Sequence, residues 1–590
     1  MNQLQTTIFR LSAGNRNVFG IMLLSAALVI LIRLLGPLRI HGDLSTQLEA
    51  AYRLVEGSGL TNAFLSQFDL NQAPVSKYLT HFPPGLSLLV SAFLFFKIPL
   101  AITLKIIYGL TTFMGWLGWS VISSRCLLSP LKIGSIFLPI HLIIAILLPI
   151  FYTPPWTFQG TDIFLWAGVP FITLLLLFSP RNYIGSINTI IAGFGIFLLI
   201  SFRYASGFLL IAAFLITLQM EMPRIKSFLK HYTILTLPGL TCTVLIIIYF
   251  NWQIGIKDNE IATSNLLETH GARYLNPDLI KLIFESLEKL LSSFSNLYIL
   301  TGIETNQLER IIQSNWLINY VFGLVFLSLI IFLCISLISY DLKKNRPNFS
   351  GPTISTSLSY LLISLILFSA ILVFIISYSP LIIDRYYLPV QPCLILIAYK
   401  IATLSDFNQL LKQLSMILII AFILYSLILR PARYFMDESR DLISLVLAAW
   451  TAQISDIRYP SNEILTFHQE SLKLLTKIET QESNVLFFIQ NYSLYMSYFY
   501  FDNPRQVRHI PDSSFWENAY LSQPTRVVWV INNPQCPSIC PSPGGFNSDQ
   551  PTAPIQQLTS LPNLEVVFTN PAEGTKIMVS DLPAGYQFAK

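Results

Sequence analysis

The sequence predicts an α-helical polytopic membrane protein with a C-terminal extracytoplasmic α/β domain. Three observations predict it. Hydrophobic residues fill 53% of the 590 positions and charged residues only 12%, about half the charged share of a soluble chain. Apolar runs of roughly 17 to 25 residues, long enough to span a bilayer, recur over residues 1–430. After Arg430 no spanning run remains, and short apolar segments of strand length take over. The net charge of +5 is small, and no Lys/Arg block suited to a nucleic-acid backbone is present. Membrane lipids are therefore expected partners and nucleic acid is not.

The elements follow in order. Arg10 and Arg16 precede the apolar run Val18 to Leu35, and no small-residue cleavage site follows. This run reads as an uncleaved first span with a cytoplasmic N-terminus, in a plasma or inner membrane. From Asp43 to Gly57, Leu44, Leu48, Ala51, Tyr52 and Val55 form an apolar stripe at helical spacing. Ser45, Gln47, Glu49, Arg53 and Glu56 fill the polar sides, and Gly57 and Gly59 stop the helix. Such a helix lies in the interface plane. The stretch after Pro83 reads as a half-inserted helix, Pro84 to Phe96, and one crossing, Ala101 to Ile122. A two-span hairpin there would place Arg125 and Lys132 outside, against the bias of basic loops toward the cytoplasm.

Arg181 marks the next cytoplasmic loop, which leaves Thr153 to Thr161 and the Phe202-Arg203-Tyr204 break outside. Merging Ile187 to Leu218 into one span would put Arg203 at mid-membrane, at a cost of about 2.5–3.5 kcal/mol. Two crossings are therefore predicted. Arg224-Ile225-Lys226 with Lys230, and Lys343-Lys344-Asn345-Arg346, are the clearest cytoplasmic loops. Around them Tyr232 to Phe250 crosses outward, Asn251 to Asn315 forms a long external loop, and Trp316 to Ser339 returns. Thr356 to Tyr378 goes out, Asp384 to Tyr399 comes in, and Leu414 to Leu429 goes out. The count is about eleven transmembrane helices, in a range of about 11–13. Within the long loop, Asn276-Pro277-Asp278 starts a helix running to Phe294. The membrane module is thus 1–430, with external loops 37–100 and 251–315, and the external domain is 431–590.

In the tail, Asn484–Ile489, Arg526–Ile531, Leu564–Phe568 and Lys576–Val579 read as strands, and Pro460–Lys477 as a helix. Cys126, Cys242, Cys334 and Cys393 lie in or beside spans and read as core packing. Cys536 and Cys540 stand in a Pro-rich external segment where a local disulfide fits. A C-x3-C pair without further Cys or His nearby lacks the four ligands of a structural zinc.

Some polar residues need a reason. Asp43 sits at the outer mouth of the first span. It reads as a helix N-cap and as a general base for an acceptor hydroxyl, and the two roles are compatible. Arg203 and Arg385 fall at external ends of spans, where snorkelling is one account and pairing of Arg385 with Asp384 another. Two guanidinium groups on Asp43's side of the membrane also suit a phosphate leaving group, and Lys77 and His81 add two further donors. Asp162 reads as a second acid in a short external loop, orienting the acceptor or holding a divalent cation. Oxygen-ligand sites usually need more than two acids, so no metal site is assigned and a divalent cation is the one candidate cofactor. Glu260, Glu268 and His270 read as a solvated loop.

Asp43, the helix pattern D-x8-Y-x4-G-x-G-L ending at Leu60, His81-Phe82-Pro83-Pro84-Gly85, Phe202-Arg203-Tyr204 and Asp384-Arg385-Tyr386 with Pro389 together resemble the GT-C membrane glycosyltransferases. The branch they look most like is that of the dolichyl-phosphate-mannose–protein mannosyltransferases and aminoarabinose transferases. The resemblance covers roughly residues 10–430 in organisation, and the tail is similar to the external C-terminal domain of many such proteins. It implies a polyprenyl-phosphate-linked sugar donor, no nucleotide sugar, and transfer to a saccharide, lipid or protein acceptor on the external face. It makes Asp43 the catalytic base and Arg203 and Arg385, with His81 or Lys77, the holders of the lipid phosphate. Family members often carry Asp-Glu at the first site. Here Leu44 follows Asp43, so any second-acid role falls to Asp162.

Two rival readings come from other classes. A transporter or flippase of lipid-linked saccharides needs ionisable residues deep within several spans, and this chain has few. A non-catalytic envelope scaffold or sensor would place the function in the tail.

Overall fold

The computed structural model describes residues 42–57, 59–64, 69–71, 75–78, 82–126, 132–133, 136–137, 161–177, 187–221, 225–254, 316–344, 353–376, 389–404, 406–424, 484–489, 507–509, 518–532, 561–569 and 575–588. It also describes isolated positions within 20–27, 284–291 and 473–480. Most of the predicted first span, the 153–160 loop, most of the 251–315 loop, His41, His81, Asp384, Arg385, Cys536 and Cys540 lie outside the described residues. So do the side chains of Asp43 and Lys77.

The fold is mostly helical, with several strongly apolar helices. An amphipathic helix, α1 (Gly42–Val55), leads to a two-stranded hairpin, β1 (Thr61–Phe64) and β2 (Val75–Tyr78). Gly57 and Gly59 both take positive φ, the conformation that ends a helix without a Cβ clash. A short helix, α2 (Gly85–Phe95), is separated from the long α3 (Leu100–Cys126) by a turn with Lys97 at positive φ. This division agrees with the prediction of a short helix followed by one long run. A short ladder of β3 (Lys132–Ile133) and β4 (Ile136–Phe137) follows.

Then come α4 (Asp162–Leu177), α5 (Ile187–Phe202), α6 (Phe208–Glu221) and α7 (Ile225–Ile254). Further along the chain come α8 (Trp316–Lys344), α9 (Ile354–Ile376), α10 (Val390–Thr403) and α11 (Gln409–Leu424). The chain breaks between α5 and α6 at Arg203, as the cost of a mid-membrane arginine predicts, through a 3₁₀ turn at Tyr204–Gly207. By length and composition, Ile102–Ser123 and Gly323–Lys343 are long and apolar enough to cross a membrane.

The helices are apolar outward and carry small polar groups inward. Leu110, Leu198, Leu245, Ile248, Val325 and Phe332 are exposed. Thr103, Thr112, Ser120, Thr173, Thr189 and Ser364 are buried. A water-soluble bundle has the reverse order. Small residues at the contacts let helix backbones approach closely, the packing mode of helices in lipid. Gly193 of α5 shows it, because a Cβ there would collide with the Leu235 carbonyl of α7. The joint between α3 and α4 shows a second device. Pro170 has no N–H to give the carbonyl of Trp166 one turn earlier. The indole Nε1 of Trp119 donates to that carbonyl at 2.9 Å, and Gly118 makes room for the Pro170 ring.

The tail forms a five-stranded mixed sheet from β5 (Val485–Ile489), β6 (Val507–His509), β7 (Thr525–Asn532), β8 (Glu565–Thr569) and β9 (Thr575–Leu582), in the order β6-β5-β7-β9-β8. The β5 pairs on both sides are parallel, and β9 is antiparallel to β7 and β8. Four of these strands overlap the segments predicted, and β6 was not foreseen. Successive side chains point to opposite faces, and residues on both faces of the central strands are buried. Val485, Phe487, Val528 and Ile577 belong to one core cluster with the helices, and Leu486, Val527, Trp529 and Met578 to a second. Of the predicted 460–477 helix, positions 473–475 and 477 are described, and all four are helical.

Two expectations need correction. Gln47 was assigned to the polar side of α1 but is buried, while Val55 of the apolar stripe is exposed. The buried face of α1 is rotated toward α2, whose Ser87 hydroxyl donates to the Gln47 carbonyl. Cys126, Cys334 and Cys393 are buried as expected, but Cys242 is exposed, on the outward face of α7 beside Leu245. Of the inward run expected from Asp384 to Tyr399, residues 389–399 are described, and Pro389 is the N-cap of the helix that begins at Val390.

Candidate functional site

The region from Gly42 to Phe95 is built around α1. Leu44, Leu48 and Ala51 face inward and are fully buried, joined to Leu86 and Val90 of α2 in one core cluster. Asp43 lies in the first turn of α1, which begins at Gly42, so it stands inside the helix rather than at its N-cap, a shift within the usual fraying of helix ends. Carboxylates are favoured in a first turn by the helix dipole. Its side chain, with those of Lys77, His81 and Arg385, lies outside the described residues.

The Pro83-Pro84-Gly85 turn connects this helix to Arg203. Pro84 caps α2, and the helix begins at Gly85. A Cβ on Gly85 would come 2.6 Å from the carbonyl oxygen of Ser201. Only glycine allows α2 to begin there, hard against the end of α5 and next but one to Arg203. The Ser87 hydroxyl, 2.7 Å from the Gln47 carbonyl, ties α2 to α1 one turn after Asp43. The segments bearing Asp43, the His81-to-Gly85 turn and Arg203 are thus joined by direct contacts.

Arg203 continues the hydrogen bonding of α5, its N–H donating to the Leu199 carbonyl at 2.8 Å, and its own carbonyl accepts from Ser206 at 2.9 Å. Its guanidinium forms an ion pair with Asp162, and the two side chains are only 14% and 7% exposed. Asp162 was expected in a loop, but it is the first residue of α4. Each charge therefore sits at the helix end whose dipole favours it, the carboxylate at an N-terminus and the guanidinium at a C-terminus. Beside the pair, Phe164 and Phe202 stack with centroids 4.2 Å apart and planes 11° apart. Tyr108 of α3 lies against Phe164 at 6.1 Å.

A guanidinium carries five N–H donors in a rigid fork, and one carboxylate engages at most two in bidentate contact. The pairing with Asp162 fixes the orientation of the Arg203 guanidinium, which is spared the entropy of a freely rotating side chain. Sequence reasoning placed both residues on the external side but gave them separate roles. Their pairing was signalled by two charges terminating consecutive apolar helices on one predicted face. The tight seat of Gly85 was not foreseen; the Pro-Pro-Gly turn was its only trace.

No family model and no curated protein matches the chain. Among solved structures, it is similar to the crystal structure of ArnT from Cupriavidus metallidurans bound to undecaprenyl phosphate, with 12% identity and a TM-score of 0.45, covering 98% of this chain and 100% of that one.

Proposed function

We propose that this chain is an integral-membrane inverting glycosyltransferase of the GT-C type. It takes a sugar from a polyprenyl-phosphate donor and transfers it to an acceptor on the extracytoplasmic face. Residues 1–430 are the transferase module, with the N-terminus in the cytoplasm, and residues 431–590 are an external domain. The observation that carries this reading is the seat of Gly85 against Ser201, together with the Ser87–Gln47 hydrogen bond. Through it, segments far apart in sequence and each holding a residue suited to phosphate or proton chemistry meet at one place.

In this reading the donor enters sideways from the bilayer. Arg203, oriented by Asp162, and Arg385 bind its phosphate, with His81 and Lys77 as further donors. Asp43 takes the proton of an acceptor hydroxyl or amine. The acceptor atom forms its bond to the anomeric carbon from the face opposite the phosphate, and the bond from that carbon to the phosphate oxygen breaks. Polyprenyl phosphate leaves with the bonding pair, its charge stabilised by the guanidinium groups. Asp162 serves Arg203 here, rather than acting as a second acid on the acceptor.

Purified protein incubated with radiolabelled polyprenyl-phosphate sugars tests this. Release of polyprenyl phosphate by the wild type, abolished in a well-folded Asp43→Asn variant, is expected. Equal release by the two proteins, or none by a folded wild type with any donor, overturns the assignment.

A further inference from the structure

The hairpin of the first external loop ends in the tail domain, in a set of contacts that neither strand pairing nor the proposed chemistry requires. Between β1 and β2, Asp69 and Leu70 are 5% and 1% exposed. Leu70 is a member of the second core cluster, with Leu486, Leu521, Trp529 and Phe588 of the tail. Its N–H donates to the Tyr520 carbonyl at 3.0 Å, and Asp69 bridges Tyr520 as a parallel strand residue. The Asp69 carboxylate accepts from the N–H of Ser522 at 3.2 Å and from that of Asn71 at 3.1 Å. The Asn71 amide donates to the Thr525 hydroxyl at 2.6 Å and accepts from the N–H of Gln523 at 3.1 Å. Apart from the Asn71-to-Asp69 bond within the loop, each of these hydrogen bonds crosses the joint with a donor facing an acceptor.

The base of the same hairpin is fixed to the helices. Arg53 of α1 donates through Nε to the Thr61 hydroxyl at 3.0 Å. Leu60 is fully buried against Ala50, and Leu54, Phe82 and Leu88 pack on them. A hairpin with four-residue strands is marginal in water by itself. Its order must come from its two ends. One end is the α1 and α2 pair beside Arg203; the other is the sheet of the tail.

We propose that residues 69–71 are a clasp by which the tail domain positions the first external loop, making Asp69, Leu70 and Asn71 positioning residues for the transfer step. This rests on the proposed function for its catalytic consequence. Lys77 is in β2 and His81 lies three residues beyond it in sequence, while Asp43 stands at the far end of α1, whose last turn holds β1 through Arg53, so slack at the tip reaches the first two directly and Asp43 through α1. Displacement of reacting groups by about 1 Å costs about 100-fold in rate. The tail is thus part of the transferase.

The full chain in lipid nanodiscs tests the clasp in two ways. Hydrogen exchange is followed over residues 42–57, 61–78 and 525–532, and transfer is measured with a labelled polyprenyl-phosphate sugar. In Leu70→Ala and Asn71→Ala, exchange over 42–57 and 61–78 is expected to rise at least about tenfold, while 525–532 stays protected. Transfer kcat is expected to fall about 10- to 100-fold, with a smaller rise in donor KM because Lys77 and His81 are displaced with the hairpin. Leu70→Met, which refills the pocket, is expected to restore both. The proposal is overturned if exchange rises only over 525–532, which marks a mere anchor for the tail, or if kcat holds while the hairpin loosens. A wild type that exchanges as expected but transfers nothing counts against the proposed function. The exchange data then still decide whether the tip orders the loop.

Discussion

Asp162 and Arg203 close a buried ion pair between the first residue of α4 and the residue that ends α5. Removing one partner of such a pair leaves an uncompensated charge, at a cost of about 3–5 kcal/mol, whereas replacing both with apolar side chains is often neutral. Asp162→Leu and Arg203→Met are each expected to lower the thermal midpoint of the purified protein strongly. The double replacement Asp162→Leu with Arg203→Met is expected to lose less than the sum. Additive losses in differential scanning fluorimetry would refute the pairing as an energetic unit. Arg203→Lys keeps the charge but loses the fork, so a raised donor KM is its expected mark.

The Trp119 indole replaces the hydrogen bond that Pro170 denies to the Trp166 carbonyl. Trp119→Phe leaves that buried carbonyl without this donor, at about 1–3 kcal/mol. Pro170→Ala supplies a backbone N–H for the same carbonyl. The penalty of Trp119→Phe is therefore expected to shrink in a Pro170→Ala background. A double-mutant cycle on thermal stability checks it, and a coupling of zero refutes the compensation.

Close approach of α5 and α7 depends on Gly193. One turn earlier in α5, the Thr189 hydroxyl meets His231 Nε2 at 3.0 Å, with both residues buried, so the two helices cannot slide apart freely at this point. Gly193→Ala places a methyl against the Leu235 carbonyl and is expected to destabilise by about 1–3 kcal/mol, as overpacking does. Gly207→Ala, where a Cβ meets nothing within 4 Å, is the matched control and is expected to be nearly silent in the same unfolding measurement.

What the sequence made legible was local. Val485–Ile489 and Thr525–Asn532 announce strands through compact apolar runs of β-branched and aromatic residues. Gly57 and Gly59 announce a helix end, and Arg203 announces a break because a charge in hydrocarbon is costly. The three-residue β6, Val507–His509, is too short and too polar to carry a period. Gln47 looked like a surface residue because burial of a polar side chain depends on its neighbours, which composition does not reveal. The ion pair of Asp162 with Arg203 and the docking of Leu70 among Leu486, Trp529 and Phe588 join residues remote in sequence. Periodicity and charge patterns report a residue's preferred environment, not which distant partner supplies it.

Acid should loosen the tail sheet through one surface pair. Arg526 of β7 donates to both carboxylate oxygens of Asp581 in β9, each at 2.7 Å, and the residues sit opposite in register. These hydrogen bonds hold the Asp581 carboxyl below its ordinary pKa, against the smaller upward push of partial burial. A carboxyl depressed in the folded state adds stability that is present above its unfolded pKa, about 3.9, and is lost as pH falls through the folded value. Asp581 is 60% exposed, so solvent screening limits the contribution to about 0.2–1 kcal/mol. Asp581→Asn is expected to speed hydrogen exchange in β7 and β9 slightly at pH 7. That difference should vanish once pH falls well below 4, where the wild-type carboxyl is protonated. A gap between variant and wild type that stays constant from pH 7 to pH 3, after correction for intrinsic exchange rates, assigns the effect to packing and removes the charge from the account.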